Sequence, residues 1–169
     1  PGGSVPSTRE RIEAAWDARV IDHGGATEIG PWGFADAAGR GMHVNEAEFI
    51  AEAPKGFGIY QPRANNVFRA GEPLIVYAEP IGMGWKAADG INHAHVATDF
   101  EIRTTDGKIL GGQKDFGKFE FASRDQNQEI MTHLTIRLSG APAGRYVFAA
   151  TYRDQVSGKS AGLELPFEI

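Results

Sequence analysis

From Gly56 to the end of the chain, short segments of alternating apolar and polar residues recur between turn sequences. In the clearest segment, the apolar residues are Ile130, Leu134, Ile136 and Leu138. A period of two places successive side chains on opposite faces of a β-strand. About seven such strands without intervening helices favour an antiparallel sandwich with Greek-key connections over a parallel α/β sheet, because the crossover helices are missing.

Further strands are predicted over 74–79, 116–121, 146–152 and 163–169. Residues 105–108, Thr-Asp-Gly-Lys, are typical of a hairpin turn, because glycine takes a positive φ at little steric cost. Residues 157–160, Ser-Gly-Lys-Ser, are similar to the end of a phosphate-binding loop. That motif needs a glycine where this chain has Arg153, and a helix where this chain has a strand, so we interpret the segment as a hairpin turn.

The first third of the chain has a helical period instead. Ser7 and Glu10 fit a capping box, in which the two side chains satisfy free amides of the first helical turn. Three large apolar residues then follow at a spacing of four: Ile12, Trp16 and Val20. They predict a helix over 8–20, which must dock on another surface to be stable.

A Gly-rich connection over 23–42 comes next. We expect its Trp32 and Phe34 to anchor it on the sandwich, and the alternative is that they contact a partner. Asn45 then offers a weaker capping signal for a second, short helix carrying residues 49–50, Phe-Ile.

The chain is thus predicted to consist of a helical, Gly-rich, acidic arm over 1–54 that packs on a main domain over 55–169. The net charge of −5 belongs to the arm, which has four Arg/Lys against nine Asp/Glu, whereas the main domain has thirteen of each. Acidic or neutral surfaces repel phosphate backbones, and no basic cluster with interleaved aromatic residues occurs. We therefore expect no nucleic-acid partner.

The 169 residues, of which 41% are hydrophobic and 23% charged, suffice for one core. No apolar run approaches the roughly 18 to 20 residues of a membrane-spanning helix, so no membrane span is predicted. The absence of cysteine excludes disulfides, thiolate zinc sites and cysteine nucleophiles. The start has no initiator methionine and no signal-peptide pattern, so we expect a processed or trimmed terminus, which is compatible with export.

Two of the five histidines, His93 and His95, stand one residue apart in the stretch INHAHVATDFEI. On a strand both imidazoles point to the same face, and neutral imidazole is a good ligand for zinc or copper. A third ligand would have to come from Asp99, Glu101 or His133. The alternative interpretation is an ordinary solvated strand face.

The segment 80–90 joins two strands and is longer than a hairpin requires. It carries Met83 and Trp85, residue types that are enriched in recognition surfaces. The segment is therefore a candidate for binding carbohydrate or peptide. The alternative is that Trp85 folds back over an open end of the sandwich and fills the core.

Nothing in the sequence supports catalysis. A serine hydrolase of the strand-to-helix elbow type needs Gly-x-Ser-x-Gly, which does not occur. Residues 115–117, Asp-Phe-Gly, match a kinase tripeptide without the other kinase motifs. We predict neither an enzyme nor a cofactor.

Two stretches carry a family likeness. Residues 58–63, GIYQPR, and 67–80, VFRAGEPLIVYAEP, resemble the opening strands of a group of uncharacterised exported bacterial proteins. Residues 143–169 resemble the final hairpin of many bacterial immunoglobulin-like and fibronectin-like modules. The likeness covers 56–169 and implies an immunoglobulin-like sandwich in the periplasm or outside the cell, without bringing over any catalytic or binding residue.

The sequence therefore predicts a mostly β protein with an antiparallel immunoglobulin-like sandwich and a short N-terminal helical segment. We expect a non-catalytic, exported interaction or envelope-accessory module whose partner is a protein, a glycan or a peptide. Two alternatives are a metal-binding periplasmic protein that uses His93 and His95, and carbohydrate or peptide binding through the Trp85 loop. Edge strands could also pair between chains and form a homodimer.

Overall fold

The computed structural model describes residues 23–26, 30–34 and 42–169. The chain divides into two compact units, Pro1–Gly41 and Met42–Ile169. In the first unit, β1 (His23–Ala26) and β2 (Gly30–Phe34) form an antiparallel pair with a bulge between Gly24 and Gly25. The predicted Gly-rich connection thus contains two short strands, while the predicted helix over 8–20 lies outside the described residues.

The second unit contains eight strands. They are β3 (His43–Phe49), β4 (Pro73–Ile81), β5 (Lys86–Ala88), β6 (Ile91–Thr104), β7 (Ile109–Ser123), β8 (Thr132–Arg137), β9 (Arg145–Asp154) and β10 (Ser160–Glu168). No helix occurs within 42–169, which agrees with the predicted absence of helices between the strands.

The eight strands form two antiparallel sheets. One has the order β3-β4-β8. In the other, β10, β9 and β6 follow one another, and β7 pairs along the opposite edge of β6. The short β5 pairs with the first residues of β6, on the side that β9 occupies from Val96 onward.

A single hydrophobic core draws side chains from both sheets. Leu74 and Val76 on β4 and Leu134 on β8 come from the three-stranded sheet, and Phe148 on β9 comes from the larger one. The ring of Phe49 lies 6.3 Å from that of Phe148 and 5.9 Å from that of Phe167 in edge-to-face geometry. The protein is mostly β, and the packing of two antiparallel sheets over one core is compatible with a β-sandwich.

Several predicted elements are confirmed. β8 alternates between buried and exposed residues from end to end, as its sequence period requires. The predicted turn over 105–108 connects β6 and β7, with the Thr104 N–H donating to the Lys108 carbonyl at 2.9 Å. Residues 155–159 connect β9 and β10, and the predicted hairpin turn over 157–160 lies at the end of this connection. Within the described ranges, no helix is long and apolar enough to cross a membrane.

The predicted second helix is wrong, because its residues form β3. The side chain of Asn45, expected to cap a helix, instead donates to the carboxylate of Glu79 on β4 at 3.4 Å. A bulge between Val44 and Ala47 adjusts the register so that Phe49 reaches the core. β3 therefore belongs to the second unit, although residues 43–49 were assigned to the predicted arm over 1–54.

Candidate functional site

Two connections meet at one end of the larger sheet. The loop between β4 and β5 approaches the hairpin between β9 and β10, and the Gly84 N–H donates to the carboxylate of Asp154 at 2.6 Å. The start of β6 lies beside the same hairpin, because the Gln155 N–H donates to the His95 carbonyl at 2.8 Å. We call the surface formed by residues 82–86, 92–95 and 154–159 the loop end.

Asp154 joins the two connections. It is 1% exposed. Besides the Gly84 amide, its carboxylate accepts hydrogen bonds from the Val156 N–H at 2.8 Å and from the Ser157 hydroxyl. Burial by itself would raise the pKa of Asp154, but these hydrogen bonds outweigh it and hold the pKa below its ordinary value. The ionised carboxylate of Asp154 thus accepts hydrogen bonds from both connections and holds them together.

The loop and the hairpin approach each other closely at Gly84. A Cβ there would lie 3.1 Å from both the Cβ and the backbone nitrogen of Ser157, and 3.2 Å from the carboxylate of Asp154. Contacts this short mean that a side chain at position 84 would require Ser157 or Asp154 to shift by a few tenths of an ångström. The missing side chain allows the backbone of the loop to reach the buried carboxylate.

The two predicted ligand-binding residues flank Gly84 and have different surroundings. Met83 is half-buried and packs against the hydrophobic core. Trp85 is also half-buried, and it directly precedes the exposed strand β5. Of this pair, Trp85 is the one that offers an aromatic surface at the loop end without belonging to the core cluster.

His93 and His95 lie on β6 and are half-buried on the same face, as the alternation predicts. Their rings are stacked with centroids 6.5 Å apart and an interplanar angle of 17°. His95 Nδ1 lies 3.8 Å from a carboxylate oxygen of Glu120, which is opposite it on β7. On the β5 side of β6, Lys86 lies opposite His93 and brings a positive charge to the histidine pair.

The predicted third metal ligands have other partners. Asp99 forms an ion pair with Arg153, and Glu101 forms one with Arg103 at 2.6 Å. His133 lies on β8, which belongs to the other sheet and does not neighbour β6. Over the described part of the chain, no group of three potential ligands is placed to hold a metal ion.

We expect 1 mM zinc or copper to stabilise chelator-treated protein by less than about 0.4 kcal/mol, the gain when ligand concentration equals the dissociation constant. The reason is that His93 and His95 provide two ligands where zinc sites in proteins use three or four. Thermal unfolding with and without metal measures the gain, and the double variant His93→Ala/His95→Ala is the control. Metal at a hundredfold excess over its dissociation constant stabilises a protein by about 2.7 kcal/mol. A gain of this size that is absent in the double variant would contradict the expectation and establish a metal site.

The role of Asp154 is not evident from the sequence. Its position three residues before Ser157 in a hairpin suggests only a local turn, in which an aspartate bonds the backbone two residues ahead. The contact with Gly84 spans 70 positions in the chain and depends on how the strands pair. A residue pattern in one segment cannot show such a contact.

Comparison with protein-family models finds no match, and comparison with curated proteins finds none either.

Proposed function

We propose that the protein is a non-catalytic interaction module with an immunoglobulin-like sandwich, which recognises a protein partner through the loop end. The observation that carries this proposal is the network around Asp154, which fixes two connections distant in sequence into one rigid surface. Loops held in place by a strand scaffold are common binding sites, and a surface ordered before binding loses less entropy when a partner docks.

The strand order supports the immunoglobulin-like type. The strands can be lettered as in immunoglobulin domains, with β3, β4 and β8 as A, B and E, and with β6, β7, β9 and β10 as C, C′, F and G. The two sheets then have the orders A-B-E and G-F-C-C′. Immunoglobulin-type sandwiches place A, B and E in one sheet and C, F and G in the other, and in variable domains C′ joins the second sheet. Under this lettering, the loop end comprises parts of the B–C and F–G connections together with the start of strand C.

A tyrosine near the start of β9 also supports this type. The Tyr146 hydroxyl donates to the Pro142 carbonyl, four residues upstream, at 2.7 Å. Many immunoglobulin-like domains carry such a tyrosine corner near the start of strand F, with the hydroxyl bonded to backbone a few residues upstream. In variable domains, the B–C and F–G loops contribute to antigen recognition.

Three carboxylates of the larger sheet are engaged in structural contacts, which favours binding over catalysis at these residues. Asp99 and Glu101 are held by arginines, and Asp154 is saturated by donors from the loop end. A general acid or base needs a carboxyl that can reach the substrate and exchange a proton with it. The exported location remains part of the proposal, on the strength of the likeness of residues 56–169 to exported bacterial proteins.

The proposal predicts that Trp85→Ala weakens partner binding by at least about 30-fold, the effect of losing an aromatic anchor at the centre of an interface. Peptides selected from a random phage library against the full chain provide the ligand, and isothermal titration compares the variants. His133→Ala, an exposed change on the other sheet, is the matched control and should bind like the unchanged protein. Circular dichroism verifies that both variants are folded.

Peptides that bind the Trp85→Ala variant as tightly as the unchanged protein would overturn the assignment of the loop end. A library that yields no binder, while a glycan array yields ligands that depend on Trp85, would instead establish carbohydrate binding at the same surface.

A further inference from the structure

Within the part of the chain that the structure describes, the strand β7 forms an edge of the larger sheet. It pairs with β6 from Ser123, opposite Asn92, to Ile109, opposite Arg103. Among the strands in the described ranges, β6 is its only neighbour. The other side of an edge strand presents free N–H and C=O groups that can pair with another chain.

The inner face of β7 is aromatic and incompletely covered. Phe119 and Phe121 pack against the core but are only half-buried. Gly117, two residues before Phe119, lies close to β8, because a Cβ at this position would come within 3.1 Å of a methyl carbon of Leu134. A strand added to the free edge would cover the exposed parts of both rings.

The outer face of the same segment carries a pair of opposite charges. Lys118 and Glu120 are both exposed and are separated by one residue, so their side chains share a face. Across the sheet they lie opposite Ala97 and His95 on β6. The 3.8 Å contact of Glu120 with His95 leaves its side chain 80% exposed, so both charges are accessible to a partner.

We propose that β7 pairs antiparallel with β7 of a second copy of this chain, in a register centred on Phe119. A two-fold axis then places Lys118 of each copy opposite Glu120 of the other, giving two cross-strand ion pairs. On the inner face the two Phe119 rings become neighbours. Gly117 stands opposite Phe121 of the second copy, and the Phe119 ring of its own chain lies over it, 2.8 Å from where a Cβ would stand.

Charge selects this register over the adjacent ones. A two-fold axis through Lys118 would place the two lysines opposite each other, and an axis through Glu120 would do the same with the two glutamates. Like charges directly opposite on neighbouring strands are destabilising. A shift of one strand by a single residue would place an inner-face residue opposite an outer-face residue, which the pleat forbids.

The geometry of β7 also limits the length of the pairing. The register with β6 shifts between Thr98 and Phe100, so that residues 114–116 form an irregularity. Within it, Asp115 has a φ of 51°, a left-handed value that a regular strand does not adopt. The pairing between the two copies therefore covers residues 117–121. Phe119 is the middle residue of this segment, so the segment pairs with itself about the two-fold axis.

Charge reversal tests the proposal on the full chain. Analytical ultracentrifugation should show a reversible dimer for the unchanged protein. Lys118→Glu alone and Glu120→Lys alone should each weaken dimerisation by about tenfold or more, because each places two like-charged pairs across the interface. The double variant Lys118→Glu/Glu120→Lys should recover the dimer, since the opposite charges face each other again with the signs exchanged.

A mixture of the two single variants gives the sharpest readout. In a mixed dimer, Glu at position 118 of one copy faces Lys at 120 of the other, and the remaining pair keeps the original charges. Native mass spectrometry should therefore show mixed dimers in excess over both homodimers. Equal thermal midpoints for all variants would verify that these exposed substitutions leave the fold intact.

A protein that stays monomeric at millimolar concentration would overturn the proposal, and Lys118 would then be a charge that protects the edge from pairing. A dimer that is indifferent to both single reversals would also overturn it. The inference does not depend on the proposed function, because the loop end is tested with Trp85→Ala and does not include β7.

Discussion

Asp154→Ala is expected to lower the free energy of unfolding by about 3 kcal/mol, which for a protein of this size lowers the thermal midpoint by about 10 °C. The substitution removes the acceptor of three hydrogen bonds, from the Gly84 and Val156 amides and the Ser157 hydroxyl. Donors left without a partner in a water-poor environment cost more than the hydrogen bonds contributed. Thermal and chemical unfolding measure the loss.

Asp125→Ala is the matched control, because it deletes the same carboxyl at an exposed position. It should change stability by no more than about 0.5 kcal/mol. Hydrogen exchange tests the mechanism directly, since the Gly84 and Val156 amides should exchange much faster in Asp154→Ala than in the unchanged protein. An Asp154→Asn variant as stable as the unchanged protein would contradict the role assigned to the ionised carboxylate.

The stability difference between the unchanged protein and Asp154→Ala should shrink in acid. The pKa of Asp154 lies below its ordinary value of 3.8 in the folded protein. A carboxylate of this kind contributes stability above the unfolded pKa and loses it as the pH falls through the folded pKa. The difference should therefore be full at pH 6 and decline below about pH 4, which unfolding curves at several pH values can measure.

The sequence predicted the parts of the fold that depend on local pattern. β8 alternates without interruption, so its period showed both the strand and its buried face. The prediction of a helix where β3 lies is wrong for a related reason: the bulge between Val44 and Ala47 breaks the period of two. In the sequence, Asn45 and the glutamates around it are typical of the start of a helix. In the structure, these residues form a strand, from which Phe49 packs against Phe148 and Phe167.

The sequence offered Trp85, His93 and His95 as candidate residues but did not indicate how they are connected in space. Trp85, His93 and His95 do lie at one end of one sheet, which the sequence could not show because they belong to different elements. Asp154, which holds that end together, lies in a segment whose pattern indicates only a hairpin. Contacts between residues 70 positions apart follow from strand order, and strand order depends on packing of the whole domain.

Gly112→Ala should destabilise the protein by about 3 kcal/mol, whereas the same change one residue earlier should not. Gly112 lies opposite Glu101 in the β6–β7 pairing. A Cβ at Gly112 would stand 2.3 Å from the carbonyl oxygen of Phe100 and 3.0 Å from the Cα of Glu101. Both atoms belong to the backbone of β6, so the clash cannot be relieved by turning a side chain, and the strands must separate.

Gly111→Ala is the matched control, because a Cβ at position 111 meets nothing within 4 Å. An alanine in that open space should be neutral or stabilising by up to about 1 kcal/mol, since it restricts the unfolded chain. Chemical unfolding compares the two variants, and hydrogen exchange should show the loss of protection confined to the pairing of 109–113 with β6. Equal stability of the two variants would mean that the first half of β7 lies farther from β6 than this contact implies. A large loss in Gly112→Ala alone would establish that the close backbone approach of β7 to β6 at this position contributes to the stability of the sheet.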